Sequence, residues 1–240
     1  MASTIKLTRV VSATSRFINQ APLLFTGTND PAFTIGDWVR GFILAPPFAW
    51  RWNRAVIAPF SLSVGAQDYQ QNISNFGWLE QAVLIDTSVT PNQAHQLEIA
   101  LDLGEESTVN QPTKIAARLD DGNGNITFRL TPPPDKTYTL NISYQIAAPI
   151  FKHTDDTFSP IPDYLHFLIH QGMLAKSYEY TGDERFSAAM QLFVRQVVAV
   201  NGGLDQSQVN IFLADQINSE VNKQSAVQKS QSANQGRFLG

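Results

Sequence analysis

Apolar residues recur along the 240-residue chain with a period that changes twice. Over residues 4–19, Ile5, Val10 or Val11, Ala13, Phe17 and Ile18 fall mostly at three- and four-residue steps, which predicts a first amphipathic helix. Asp30-Pro31 predicts a second helix start, since Asp caps free N–H groups and Pro suits the first helical position. Ile35, Trp38, Val39 and Phe42 mark its inner face. It must end before Pro46, because the residue preceding a proline avoids helical geometry and proline lacks a donor.

From residue 55 the pattern becomes alternating. Val56, Ala58, Phe60 and Leu62 form one such set, and Leu97, Ile99, Leu101 and Leu103 another. Ile115, Ala117 and Leu119 face Ile126, Phe128 and Leu130 across a turn. Tyr138, Leu140, Ile142, Tyr144 and Ile146 make the cleanest period-two run. A sheet with one buried face requires this alternation.

Helix resumes at Pro160-Ile161-Pro162-Asp163, with Leu165, Leu168, Ile169, Gly172 and Ala175 on one stripe. Thr181-Gly182-Asp183 breaks the chain. A partner helix over 184–200 carries Phe186, Ala189, Met190, Phe193, Val197 and Val200, and Gly202-Gly203 stops it. A shorter segment around Val209, Phe212 and Leu213 is expected to dock on this αα-hairpin. The predicted class is α+β: a helical bundle from the N- and C-terminal helices, an inserted antiparallel sheet or sandwich, and an extended C-terminal tail. Its divisions are a discontinuous helical domain (1–54 and 155–216), a β-rich insertion (55–154) and a C-terminal arm (217–240).

Composition narrows the chemistry. Charged residues are only 16% of the chain, against a usual quarter, and Asn, Gln, Ser and Thr supply the polarity. With no cysteine there is no disulfide scaffold, Cys-ligated metal or Cys nucleophile. A net charge of −4 argues against tight nucleic-acid binding through a basic face. The N-terminal segment lacks a signal-like apolar run, and no window approaches the about 18 consecutive apolar residues of a membrane span. A soluble chain is expected.

His166 and His170 lie four residues apart on a helix and share a face, but Phe167 stands where the zinc-protease pattern needs Glu. Packing at a helix seam is preferred over a metal site. Asp120-Asp121-Gly122-Asn123-Gly124-Asn125 opens like a calcium loop, then places Ile126 where Gly is needed and Pro132 where Glu is needed. A hairpin turn is the preferred reading. Glu105-Glu106 and Asp155-Asp156 fall in loop sequence, where solvated carboxylates are the rule. Nucleophile-elbow, phosphate-loop and dinucleotide motifs are absent, so no catalytic residue, cofactor or metal is assigned.

Two features invite partner contact. Trp50 and Trp52, with Phe48, Arg51 and Arg54, suit either stacking on a sugar or base, or packing at a subunit or domain junction with the arginines turned outward; the junction is preferred. At the far end, Arg237, Phe238 and Leu239 close a stretch that is otherwise mostly small and polar. Either that composition is accidental, or these side chains anchor the arm on a partner.

The order of elements resembles the adaptor (head–tail connector, or tail tubular) proteins of tailed bacteriophages, particularly short-tailed ones. The likeness rests on Phe48-Ala49-Trp50-Arg51-Trp52-Asn53-Arg54, where helix passes into strand, on Ile161-Pro162-Asp163-Tyr164-Leu165, and on the Asp183–Asn201 helix. It covers residues 5–215 in element order. The resemblance implies a non-enzymatic virion protein, assembled in the host cytoplasm and placed at the head–tail junction. It implies a homo-oligomeric ring, commonly of twelve copies, between the portal and the nozzle or other tail proteins. The arm would reach toward the portal, and genomic DNA would cross the lumen without specific binding; no membrane is involved. Low charge and an acidic balance agree with a subunit spent on contacts around a duct that does not retain phosphate. The rivals are another tail or capsid accessory protein, and a carbohydrate-binding or hydrolytic tail component using Trp50, Trp52 and loop carboxylates.

Overall fold

The structure, a computed structural model, describes residues 3–18, 31–118 and 124–202. The chain is α+β. Helices α1 (Leu7–Ser15), α2 (Pro31–Leu44), α3 (His166–Thr181) and α4 (Phe186–Asn201) flank nine strands in sequence. One compact unit joins the described residues up to Ile43 with those from Pro149 onward; Leu44–Ala148 form the other.

In the helical unit, Pro31 takes the first position of α2, while Asp30 lies outside the described residues. The helix stops at Leu44, before Pro46. Helix α1 is shorter than its sequence pattern, ending at Ser15, and both Val10 and Val11 are buried. Phe17, expected on its inner face, is 60% exposed because the chain has left the helix before reaching it. Asp163 does not cap α3. Its carboxylate accepts from Ser3 Oγ (3.1 Å), Thr4 N (2.8 Å) and Thr4 Oγ1 (2.6 Å), tying the N-terminal segment to the short 3-10 turn Asp163–Leu165. These bonds hold that carboxyl below its usual range, the Thr4 hydroxyl contributing most.

Leu168, Ile169, Met173 and Ala175 of α3 are buried, as are Phe186, Met190, Phe193, Val194 and Val197 of α4. At Gly172 an added Cβ would lie 2.8 Å from both Val39 and Phe193, so glycine permits the close approach of three helices. Gly182 and Gly202 end α3 and α4 in left-handed geometry, at φ of 69° and 62°. Val200 is exposed, and Val198 instead continues the inner face. The return segment is held by Arg40, which is only 3% exposed. Its guanidinium donates to Asp37 (3.0 Å) and to the Pro149 carbonyl, and stacks 3.8 Å from the Phe151 ring centre. Asp37 also accepts the Phe151 N–H at 2.9 Å. The expected segment at Val209, Phe212 and Leu213 lies outside the described residues.

The β unit has two sheets around one core. The first runs β1 (Arg54–Val56), β9 (Thr139–Ile146), β4 (Phe76–Asp86), β5 (Gln93–Gln96), with β2 (Phe60–Ser61) also on β9. The second runs β3 (Asp68–Asn72), β8 (Asn125–Thr131), β7 (Lys114–Arg118), β6 (Glu98–Ile99). All pairings are antiparallel except β6 with β7. Leu84, Ile115, Phe128, Leu130, Leu140 and Ile142 are fully buried in the shared core. The Tyr138–Ile146 alternation is thus a central strand. Ile115 faces Leu130 and Ala117 faces Phe128 in the expected hairpin; the turn residues 119–123 lie outside the described residues.

Two alternations are corrected. Between Val56 and Phe60 this side advances four residues while β9 advances three, so Ile57 is buried and Val56 is 64% exposed. Pro59, which cannot donate to a ladder, lies in that break. Of Leu97, Ile99, Leu101 and Leu103, only Leu97 is buried, and Leu101 is fully exposed. There β6 pairs for only two residues before the chain leaves the sheet.

Candidate functional site

The Trp50–Arg54 segment sits inside the β unit as a bonded joint. After Pro47, Phe48 and Trp50 are buried, and a 3-10 turn at Arg51–Asn53 redirects the chain into β1. The Trp50 and Trp52 ring centres are 5.4 Å apart. Trp50 is 4% exposed, so its ring offers almost no free face to a sugar; Trp52 is half-buried and Arg51 exposed. The wholly buried Gln145 side chain clamps Trp50: its Oε1 accepts the Trp50 N–H and its Nε2 donates to the Trp50 carbonyl, both at 3.2 Å. Nε2 also donates to Glu80 Oε2 at 2.6 Å, and Arg54 grips both Glu80 oxygens. Burial pushes the Glu80 carboxyl up, but the Arg54 and Gln145 bonds outweigh it and hold it below its usual range. Asn53 Nδ2 closes the joint on the Ile146 carbonyl at 2.9 Å.

Gln145 and Glu80 escape sequence reading, because in a strand with one buried face a polar residue is expected to look outward. The available signal is Gln145 beside the clean alternation ending at Ile146, since a polar side chain there is buried only if it meets backbone groups.

In the helical unit, the His166 and His170 rings are 6.3 Å apart and nearly perpendicular. They line an open cavity of about 400 Å³ with Phe17, Phe167, Leu174 and Gln196 among its walls. Burial, then the neighbouring His166 and Arg9 charges, pushes the His170 imidazole below its ordinary value. Gln196 Oε1 is buried there without a partner among the described residues. Among the described residues no three metal-ligating side chains converge.

Glu105 and Glu106 are exposed, Asp155 pairs with Lys6 at 3.0 Å, and Asp156 accepts the Lys152 and His153 N–H groups at 2.7 and 2.8 Å. A second cavity, about 540 Å³, opens in the β unit between Pro46, Phe76, Trp78, Ile99, Leu101 and Arg118. Arg237, Phe238 and Leu239 lie outside the described residues, as does the rest of 203–240. Among the described residues no helix is long and apolar enough to cross a membrane.

The sequence profile of the SU10 adaptor protein matches residues 15–211, spanning the whole β unit and most of the helical one. The chain belongs to that family, a phage adaptor family, and is a structural virion protein that meets other virion proteins. Curated proteins gave no match.

Proposed function

We propose that the chain assembles into a closed ring, of twelve copies as in the adaptors it resembles, that joins the portal to the nozzle or other tail proteins at the head–tail junction. Genomic DNA crosses its lumen without specific binding, and the protein turns over no substrate. Family membership across residues 15–211 carries this reading. The low charge and the exposed apolar side chains on both units (Phe17, Tyr164, Phe167 and Leu192; Val56, Ile99 and Leu101) support it as surface reserved for neighbours. Trp50, Arg51, Trp52 and Arg54 serve as a joint at the domain junction or a subunit contact, and Arg237, Phe238 and Leu239 anchor the C-terminal arm on the portal.

Electron microscopy of the purified protein, alone and mixed with portal, tests the ring. Rings that cap the portal are expected; a monomer that ignores the portal refutes the reading. Removing residues 217–240 is expected to weaken portal attachment while leaving the circular dichroism spectrum unchanged. Undiminished attachment would reject the role given to Arg237, Phe238 and Leu239.

A further inference from the structure

The helical unit holds a concave site whose chemistry is unfinished. Its walls carry Phe17, Phe167, His166 and His170, and none of its lining residues is a carboxylate. Arg9, whose charge acts on His170, is exposed and lies one helical step before the lining residue Ala13 on α1. Gln196 Oε1 lies buried and unpartnered among the described residues. The site is therefore apolar and aromatic, with the exposed Arg9 guanidinium beside it.

The β unit offers the converse. The stretch from Glu98 to Glu106 leaves the sheet after two residues and projects Leu101 fully exposed. Such exposure is costly for a leucine that stays in water. Glu98 pairs with Lys114 at 3.3 Å and Asp102 with Arg118 at 3.4 Å, while Glu105 and Glu106 beside them are exposed. The stretch holds four carboxylates and no Lys or Arg. Its positive neighbours among the described residues, Lys114, Arg118 and Arg129, come from β7 and β8.

We propose that the acidic loop 98–106 of one copy docks into the α1–α3–α4 cavity of the next, with Leu101 against Phe17 and Phe167 and Glu105 or Glu106 toward Arg9. The two faces differ, so the contact is heterologous: each copy gives a loop and receives one, which generates a ring when the rotation closes. Opposite charge at the two faces steers the encounter and sets its register. This assignment rests on the ring reading above and names the surfaces that would build it.

Because the chain has no cysteine, engineered pairs report the contact directly. All three positions used, Leu101, Phe167 and Phe17, are exposed, so the substitutions spare the core. The L101C/F167C variant, oxidised where electron microscopy has fixed the wild-type assembly state, is expected to give a ladder of disulfide-linked oligomers beyond dimer. Each single variant stops at dimer, and L101C/F17C repeats the ladder. E105K/E106K lowers the yield of the ladder, and adding R9E restores it. Rings without a ladder, or a monomer with an internal disulfide, overturn this contact and leave the ring standing. A ladder without closed rings supports the contact and overturns the ring. Neither rings nor ladder overturns both.

Discussion

Replacing Gln145 by Leu keeps the side-chain volume and removes the polar contacts that this side chain makes in the joint. The Trp50 N–H and C=O each lose a 3.2 Å partner, and Glu80 loses a 2.6 Å donor. Gln145 is wholly buried, so water does not readily replace it. The Trp50 carbonyl keeps its bond from the Asn53 N–H at 3.0 Å, so the loss is one bond to a backbone N–H at about 1 kcal/mol and one to a carboxylate at about 1.5–3 kcal/mol, about 3 kcal/mol together. That is a large part of the about 5–15 kcal/mol by which a domain is stable. Urea unfolding at pH 7, followed by tryptophan fluorescence, reads this unit well, because Trp50, Trp52 and Trp78 all belong to it. A Gln70→Ala control on exposed β3 is expected to stay within about 0.5 kcal/mol. A loss under about 1 kcal/mol for Gln145→Leu would show that the joint relaxes onto water or other donors, and the argument from buried satisfaction would be wrong.

Arg40→Met is expected to destabilise the helical unit by about 1–3 kcal/mol, since the Pro149 carbonyl loses its cationic donor and Asp37 keeps only the Phe151 N–H; differential scanning calorimetry reads the loss, and a change under 1 °C would refute it. Asp86 accepts from Lys136 Nζ and from Ser88 Oγ, each at 2.6 Å, which hold its carboxyl down at about 2. Its folded value lies below the usual about 4, so its contribution is complete above about pH 4 and is lost as pH falls through about 2. The urea midpoint should therefore drop across that window, and the drop should be shallower in Asp86→Asn; parallel profiles would refute the assignment.

Elements with one repeated period were legible from residues alone. Leu165, Leu168, Ile169 and Gly172, and the run from Tyr138 to Ile146, each state which face is buried, because helix and strand geometry convert spacing directly into direction. Stops were legible too, at Pro46, Gly182 and Gly202, since these residues act on their own backbone. Val56 and Leu101 misled for the opposite reason. Alternation states which residues share a face, but only the partner strand decides how far the ladder continues and whether its register slips. The same holds for Asp163, where sequence has helix resuming and whose carboxylate bonds Ser3 and Thr4, about 160 residues away.

By itself the sequence determined the α+β class, the helical ends around a β-rich middle, the hairpins, and the absence of cysteine chemistry. These follow from period, from proline and glycine, and from composition, which are properties of single residues or near neighbours. Only the tertiary structure decided that Gln145 clamps Trp50, that Arg40 holds the return segment, and that a Gln196 oxygen, unpaired among the described residues, lies by an aromatic cavity. Each joins residues from different elements. Burial raises the energy of any unpaired polar group, so the fold, not the local pattern, selects which polar side chains are drawn inside.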